Sequence, residues 1–103
     1  MAKKILLTHR CWAIVDNNRY KDLNSFTWHL RKSGKNKYAA RNVIINGKWK
    51  TLYMHWFVLP RHEDPNIQID HINNNGLDNR RTNLQYLIRG NNVQKGWLKN
   101  HVI

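Results

Sequence analysis

Four polar side chains in the C-terminal half of the sequence have the types that hydrolysis of a phosphodiester bond requires. They are Asp70, His71, Asn83 and Asn92. A neutral imidazole can deprotonate water near pH 7, and a hard cation such as Mg²⁺ prefers carboxylate and amide oxygens as ligands. Such a cation stabilises charge on the phosphate and on the leaving 3′ oxygen. An amide can also fix the tautomer of the histidine through a second hydrogen bond. Together these residues predict a general base beside one divalent cation.

Short strands and a loop must position these side chains. Residues 67–72 have apolar side chains at alternate positions, which predicts a short strand that carries Asp70 and His71. A polar loop follows at residues 73–79, with Gly76 as its flexible point, and the second half of residues 80–88 can pair back as another short strand. Residues 89–95 are typical of a turn that enters a helix, and this helix would carry Asn92.

Upstream, three segments rich in β-prone residues predict a three-stranded antiparallel sheet. They span residues 25–32, 38–45 and 49–54, separated by a turn cluster at 33–36 and by Asn46-Gly47. An Asn-Gly pair between such segments favours a type I′ hairpin turn, because both central positions need positive φ. Residues 54–59 are apolar and end at Pro60, which predicts a short buried helix. His55 lies inside it, and we expect a packed, hydrogen-bonded core histidine.

The charge of the chain indicates a polyanionic partner. Its formal charge is +12, from 18 Lys and Arg against six Asp and Glu, and no acidic residue lies between Asp22 and Glu63. Double-stranded DNA is the partner we expect, with an anionic membrane or a merely solvated basic surface as alternatives. Arg80 and Arg81 lie beside the predicted site, where we expect them to hold phosphates of the DNA, with solvation of the loop by one of them as the alternative. On the predicted sheet, the cations expected to lie along one DNA groove are Arg31, Arg41, Lys48 and Lys50.

The cysteine content and the N-terminus bear on the compartment. Cys11 is the only cysteine, so the chain has neither a disulfide framework nor a cysteine-based zinc site, and it fits a reducing cytosol. The apolar run at residues 5–7 is too short for a signal peptide or a spanning helix. We therefore expect the protein to stay in the compartment where it is made, a reducing cytoplasm.

A longer stretch of sequence resembles a known family. An adjacent Asp and His is common by chance, and Asn-rich loops form turns without any catalytic role. Residues 70–84, however, closely resemble the signature of phage and intron-borne HNH endonucleases, which have the ββα-metal fold. Upstream, residues 53–55 are similar to the family's segment before its short helix. Residues 13–16 and 23–28 are similar to the opening of phage HNH proteins with an AP2-like sheet. One departure is Asn74, which stands where the family prefers Gly.

The resemblance implies a role for each matching residue. His71 would be the general base, Asp70 a metal ligand and Asn83 the residue that orients the histidine. Asn92 would be the second metal ligand, or Asn91 if the helix is shifted by one residue. The implied cofactor is one Mg²⁺ or Mn²⁺ ion per site, and the implied reaction cuts DNA to a 5′ phosphate and a 3′ hydroxyl.

These observations predict an α+β fold, in which a three-stranded antiparallel sheet is followed by a ββα-metal motif. We expect a basic sheet module that contacts DNA at residues 1–54 and a nuclease module at residues 55–103, joined as one compact unit. The resemblance also implies a role in a mobile element, such as homing, and a location in the cytoplasm of a prokaryotic or phage-infected cell. The main alternative is a DNA-binding protein whose nuclease-like fold does not cut. A second is an RNA-binding protein of the ribosomal type, which would fit the charge but gives the Asp-His pair no purpose.

Overall fold

A computed structural model describes residues 2–88 of the chain as a mixed, sheet-rich α+β fold with few helices. All three of its sheets are antiparallel, with strand orders β1-β2, β3-β4-β5 and β6-β7. Short 3₁₀ turns occupy Thr8–Arg10 and Arg81–Asn83. No helix within residues 2–88 is long and apolar enough to cross a membrane. The elements are β1 (Ala2–Leu6), β2 (Trp12–Asp16), α1 (Asn17–Leu23), β3 (His29–Ser33), β4 (Asn36–Ile45), β5 (Lys48–Tyr53), α2 (Met54–Val58), β6 (Ile67–His71) and β7 (Leu84–Ile88).

The predicted three-stranded sheet is confirmed, and the Asn-Gly turn forms as expected. Asn46 and Gly47 have φ values of 52° and 76°, and Ile45 pairs with Lys48 across the turn. Positive φ at both central positions is the type I′ geometry, whose twist matches that of the flanking strands. The short local signal in the sequence was therefore sufficient to fix this hairpin and its register.

The first strand of this sheet begins later than predicted, at His29 rather than at residue 25. The preceding residues instead close the end of α1 and fill the core. Trp28 is buried, and its indole N–H donates to the carbonyl oxygen of Leu23 at 2.8 Å. The hydroxyl of Ser25 donates to the carbonyl oxygen of Asp22. Burial of the indole thus outweighed the strand propensity of the segment.

The core joins the first hairpin, both helices and the last strand. The predicted short helix before Pro60 is confirmed as α2, and it packs against β4. The rings of Trp28 and Phe57 meet edge to face at 5.5 Å. Each large apolar side chain buried in this way stabilises the fold by roughly 1.5–3 kcal/mol. The buried apolar residues that form this cluster are Ile5, Leu7, Ala13, Val15, Leu23, Trp28, Ala39, Met54, Val58, Leu59 and Leu84.

The N-terminal hairpin, which the sequence did not predict, holds the polar loop that follows β6. The N–H of Ile14 donates to the carbonyl oxygen of Leu77, and the N–H of Asn79 donates to the carbonyl oxygen of Ile14, both at 2.7 Å. The carboxylate of Asp16 accepts the N–H of Arg81 at 2.8 Å. The loop is therefore fixed by a strand more than 60 residues away in the sequence, across the predicted boundary between the modules.

The two strands predicted around the polar loop are confirmed as the β6-β7 hairpin. Asp70 pairs with Gln85 and His71 pairs with Leu84. The helix that would complete a ββα motif, together with Asn91 and Asn92, lies outside the described residues. Asn74, which replaces the glycine preferred by the resembling family, has φ of 63°. Asn tolerates this left-handed conformation better than most residues do, so the loop keeps a turn for which glycine is the usual choice.

Candidate active site

Asp70 and His71 lie at the end of β6, and both residues line a cavity of about 230 Å³. His71 is buried, with 6% of its surface exposed, whereas Asp70 is half-buried. A ligand in this cavity would therefore contact both residues. The remaining residues that line it are Asn36, Tyr38, Gln68, Ile69, Asn74 and Gly76.

The imidazole of His71 is held by Asn79. The Nε2 atom of His71 lies 2.8 Å from Oδ1 of Asn79, whose side chain is fully buried. An amide oxygen only accepts hydrogen bonds, so Nε2 carries the proton and donates it. In the neutral ring the lone pair then belongs to Nδ1, which is the nitrogen that can take a proton from water. This is the tautomer that a general base in this position requires.

Asn83, predicted to orient the histidine, has a different set of hydrogen bonds. Its side-chain oxygen accepts the N–H of Asn73 at 3.1 Å, and its amide N–H groups donate to Oδ1 of Asn73 and to the carbonyl oxygen of Asp78, each at 2.9 Å. These bonds tie the two ends of the loop together. The contact to Nε2 of His71 comes from Asn79, which sequence reasoning missed because the loop offers several asparagines of equal chemical type.

The two adjacent arginines beside the site, Arg80 and Arg81, make different contacts. Arg80 forms a two-pronged ion pair with Asp78, with N–O distances of 2.8 and 2.7 Å. Burial alone would raise the pKa of Asp78, but the hydrogen bonds and charge of Arg80, with a hydrogen bond from Asn73, lower it below its usual value. Arg80 thus offsets a charge within the loop. Arg81 is exposed, and one guanidinium N–H donates to the carbonyl oxygen of Leu84 at 3.3 Å.

The surroundings of Asp70 suit a weakly held oxygen-preferring cation. The amide of Gln85 donates to Oδ2 of Asp70 at 3.0 Å, which fixes the carboxylate. Three residues with side-chain amides, Asn36, Gln68 and Asn74, line the same cavity. Within residues 2–88, no three His, Cys, Asp or Glu side chains cluster in a way that could hold a metal ion. One carboxylate with amide oxygens fits Mg²⁺ or Mn²⁺ completed by water and phosphate better than it fits zinc.

His55, expected to be a core histidine, is buried as predicted but lies against His71. Their rings meet edge to face with centroids 4.9 Å apart. His55 also stacks on Tyr53 at 5.3 Å with an interplanar angle of 22°. Burial, with the charge of a protonated His71, lowers its pKa from 6.5 to about 3, so it is neutral at pH 7. Its Nδ1 has no hydrogen-bond partner within residues 2–88, contrary to the expected hydrogen-bonded histidine.

The predicted DNA-contacting cations of the sheet do not share one face. Arg31 pairs with Tyr38, whose ring lies 5.8 Å from that of His71. Directly paired residues point to the same side of a sheet. Arg41, Lys48 and Lys50 therefore point to the opposite side, and the guanidinium of Arg41 stacks on Phe26 at 4.1 Å. The prediction that all four cations lie along one DNA groove is therefore wrong, because neighbouring positions along a strand point to opposite faces of the sheet.

Comparisons with known proteins add no relative. No family model, curated protein or solved structure matches the chain. The chemistry and placement of its own residues therefore carry the functional conclusion.

Proposed function

We propose that the protein is a metal-dependent HNH-type endonuclease that hydrolyses phosphodiester bonds of double-stranded DNA. The contact between Nε2 of His71 and Oδ1 of Asn79 carries this proposal. It selects the tautomer in which Nδ1 can act as a base, and both His71 and Asp70 line the same cavity. A merely structural histidine would not need a carboxylate and an open polar cavity beside it.

In the proposed reaction, His71 acts on the attacking water. Its Nδ1 takes a proton from water while the water oxygen bonds to phosphorus and the bond from phosphorus to the 3′ oxygen breaks. The 3′ oxygen takes a proton from solvent, which leaves a 5′ phosphate and a 3′ hydroxyl. Asn79 continues to accept the Nε2–H bond and so stabilises the imidazolium that forms. A divalent ion bound by Asp70, with Asn92 as its proposed second ligand, would stabilise charge on the phosphate.

Charge supports DNA as the substrate. Most of the excess positive charge lies in the acid-free stretch between Asp22 and Glu63, which forms the three-stranded sheet and α2. Arg31 lies on the face of this sheet that continues into the His71 cavity through Tyr38. Exposed Arg81 lies at the base of the loop after His71. Phosphates on either side of a cleaved bond would therefore meet cations close to the cavity.

Plasmid cleavage tests the proposal directly. Purified protein incubated with supercoiled plasmid in Mg²⁺ or Mn²⁺ should convert it to nicked or linear DNA, and EDTA should stop the conversion. His71→Ala, purified in parallel, controls for a contaminating nuclease. Tight DNA binding without any cleavage in either metal would refute the enzyme and favour a DNA-binding protein with a nuclease-like fold.

A further inference from the structure

A second, larger cleft lies directly beside the His71 cavity. Its volume is about 670 Å³, and it is bounded by the start of β4, the end of β5, α2, the loop after α2 and β6. Tyr38, Gln68 and Ile69 line both cavities, so the two share a wall. The proposed reaction uses none of the other residues of this cleft. They are Ser33, Tyr53, His55, Trp56, Arg61, His62, Pro65 and Ile67.

Three aromatic rings line the cleft. Tyr38, Tyr53 and Trp56 are each half-buried, and Tyr53 meets Trp56 edge to face at 5.0 Å. The guanidinium of the exposed Arg61 lies 4.6 Å from the centre of the Trp56 ring. Aromatic faces of this kind stack on nucleobases with little regard to sequence. A cation at the mouth of the cleft would attract the phosphate that accompanies a base.

The nearly buried imidazole of His55 forms part of the wall of this cleft. His55 lines the cleft with only 7% of its surface exposed, and its Nδ1 has no partner within residues 2–88. Leaving such an atom unpaired is unfavourable, because it has lost its hydrogen bonds to water. Because this atom is itself closed to solvent, a ligand in the cleft meets the ring of His55 only as part of the aromatic wall.

We propose that this cleft receives one nucleobase, unstacked from the DNA strand next to the phosphate that His71 attacks. The volume lies in the range of small-ligand pockets, about 300–1,000 Å³. The shared wall at Tyr38 puts the base next to the reacting phosphate, and this placement rests on the proposed function. Unstacking a base from a duplex is unfavourable, and a mismatch or a bulge reduces its cost. The protein therefore prefers DNA whose duplex is weakened at one position.

Equilibrium binding tests the proposal without cleavage. Fluorescein-labelled duplexes of about 20 base pairs, one fully paired and one with a single-nucleotide bulge, are titrated in EDTA and followed by anisotropy. The wild-type protein is expected to bind the bulged duplex at least about tenfold more tightly than the paired duplex. Trp56→Leu and Arg61→Ala should reduce this ratio towards one, whereas Trp56→Phe, which keeps a stacking ring, should retain most of it.

Two control variants separate the cleft from general loss of aromatic or basic surface. Trp49→Leu removes a ring that is 71% exposed on the sheet, and Lys50→Ala removes a cation from it. Neither lines the cleft, so both should keep the wild-type ratio. Arg61 is exposed, so its replacement leaves folding intact even if Trp56→Leu does not fold.

The outcomes distinguish this proposal from the proposed function. Equal affinity of the wild-type protein for both duplexes, or an unchanged preference in Arg61→Ala and in folded Trp56→Leu, would overturn the base-binding cleft even if plasmid is cut. A preference that disappears in these variants would support the cleft even if the protein does not cleave. In that case the enzyme proposal alone would fail.

Discussion

The side-chain oxygen of Asn79 lies 2.8 Å from Nε2 of His71, and this hydrogen bond orients the imidazole ring. Asn79 is itself fully buried, and its backbone N–H is tied to Ile14 of β2. The orientation of the proposed base therefore depends on the N-terminal hairpin. Two predictions follow from this hydrogen bond, one for His71 and one for Asn79.

His71→Ala is expected to abolish cleavage while DNA affinity stays within a few-fold of wild type. The imidazole acts on water, so its loss appears in the chemical step and not in binding. Single-turnover cleavage and anisotropy titration in EDTA measure the two quantities separately. If the purified variant cut DNA at neutral pH at the wild-type rate, His71 would have no part in the mechanism.

Asn79→Ala is expected to lower the cleavage rate by about 10- to 100-fold with little change in DNA affinity, because loss of an outer partner frees the ring of the base. Asn79→Asp keeps an oxygen that can accept the Nε2–H bond and should retain more activity than Asn79→Ala. Asn18→Ala, on the exposed surface of α1, is the matched control. A wild-type rate in a folded Asn79→Ala protein would contradict the positioning role.

The metal prediction concerns activation. Mg²⁺, and Mn²⁺ more strongly, should activate cleavage at millimolar concentrations, because few oxygen ligands bind the ion weakly. Asp70→Ala and Asn92→Ala should lose this activation, whereas Glu63→Ala, which removes an exposed carboxylate elsewhere, should keep it. Zinc that survives dialysis against a chelator, with unfolding once it is removed, would be inconsistent with the proposed ion.

Local patterns in the sequence predicted the elements that position the site. The Asn46-Gly47 turn, helix α2 and the β6-β7 pair each have a signal within a few residues, and each is confirmed. The start of strand β3 was predicted too early, because Trp28 has β propensity but is buried in the core. Its indole N–H donates to the carbonyl oxygen of Leu23. Strand propensity alone does not indicate which aromatic side chains will be buried in the core.

The contacts that complete the site join residues far apart in the sequence. Ile14 pairs with the loop at Leu77 and Asn79, and no pattern within either segment predicts that pairing. His55 and His71 were both noticed, but only the folded sheet brings their rings within 4.9 Å. Asn79 could not be told from the other loop asparagines by type, since only burial and distance distinguish it.

Burial of His55 makes stability depend on pH. The pKa of His55 falls from its ordinary value of 6.5 to about 3 in the folded protein. Between these values the unfolded chain binds a proton that the folded protein does not, so stability is full above pH 6.5 and declines as the pH falls towards 3. The expected loss is about 1.4 kcal/mol per pH unit below about pH 6.

Urea denaturation in EDTA at pH 7, 6, 5 and 4.5 measures this dependence. His55→Phe keeps a ring in the core but cannot titrate, so its free energy of unfolding should change less over this range than that of wild type. His9→Gln, at an exposed position, should keep the full wild-type slope. Identical slopes for wild type and His55→Phe would mean that His55 titrates normally in the folded protein.

The last prediction asks which face of the three-stranded sheet lies on DNA. Arg31 shares its face with Tyr38 and hence with the His71 cavity, whereas Arg41 and Lys50 point away from it. Each cation that neutralises a phosphate contributes about 0.9 to the slope of log affinity against log salt. Arg31→Ala should therefore reduce the slope by about 0.9, and the double variant Arg41→Ala, Lys50→Ala should leave it near the wild-type value. If instead only the double variant reduces the slope, the face that carries Arg41 lies on DNA, and the DNA reaches the His71 cavity from the edge of the sheet. If neither variant changes the slope, the sheet faces away from DNA and its charge is a solvated surface.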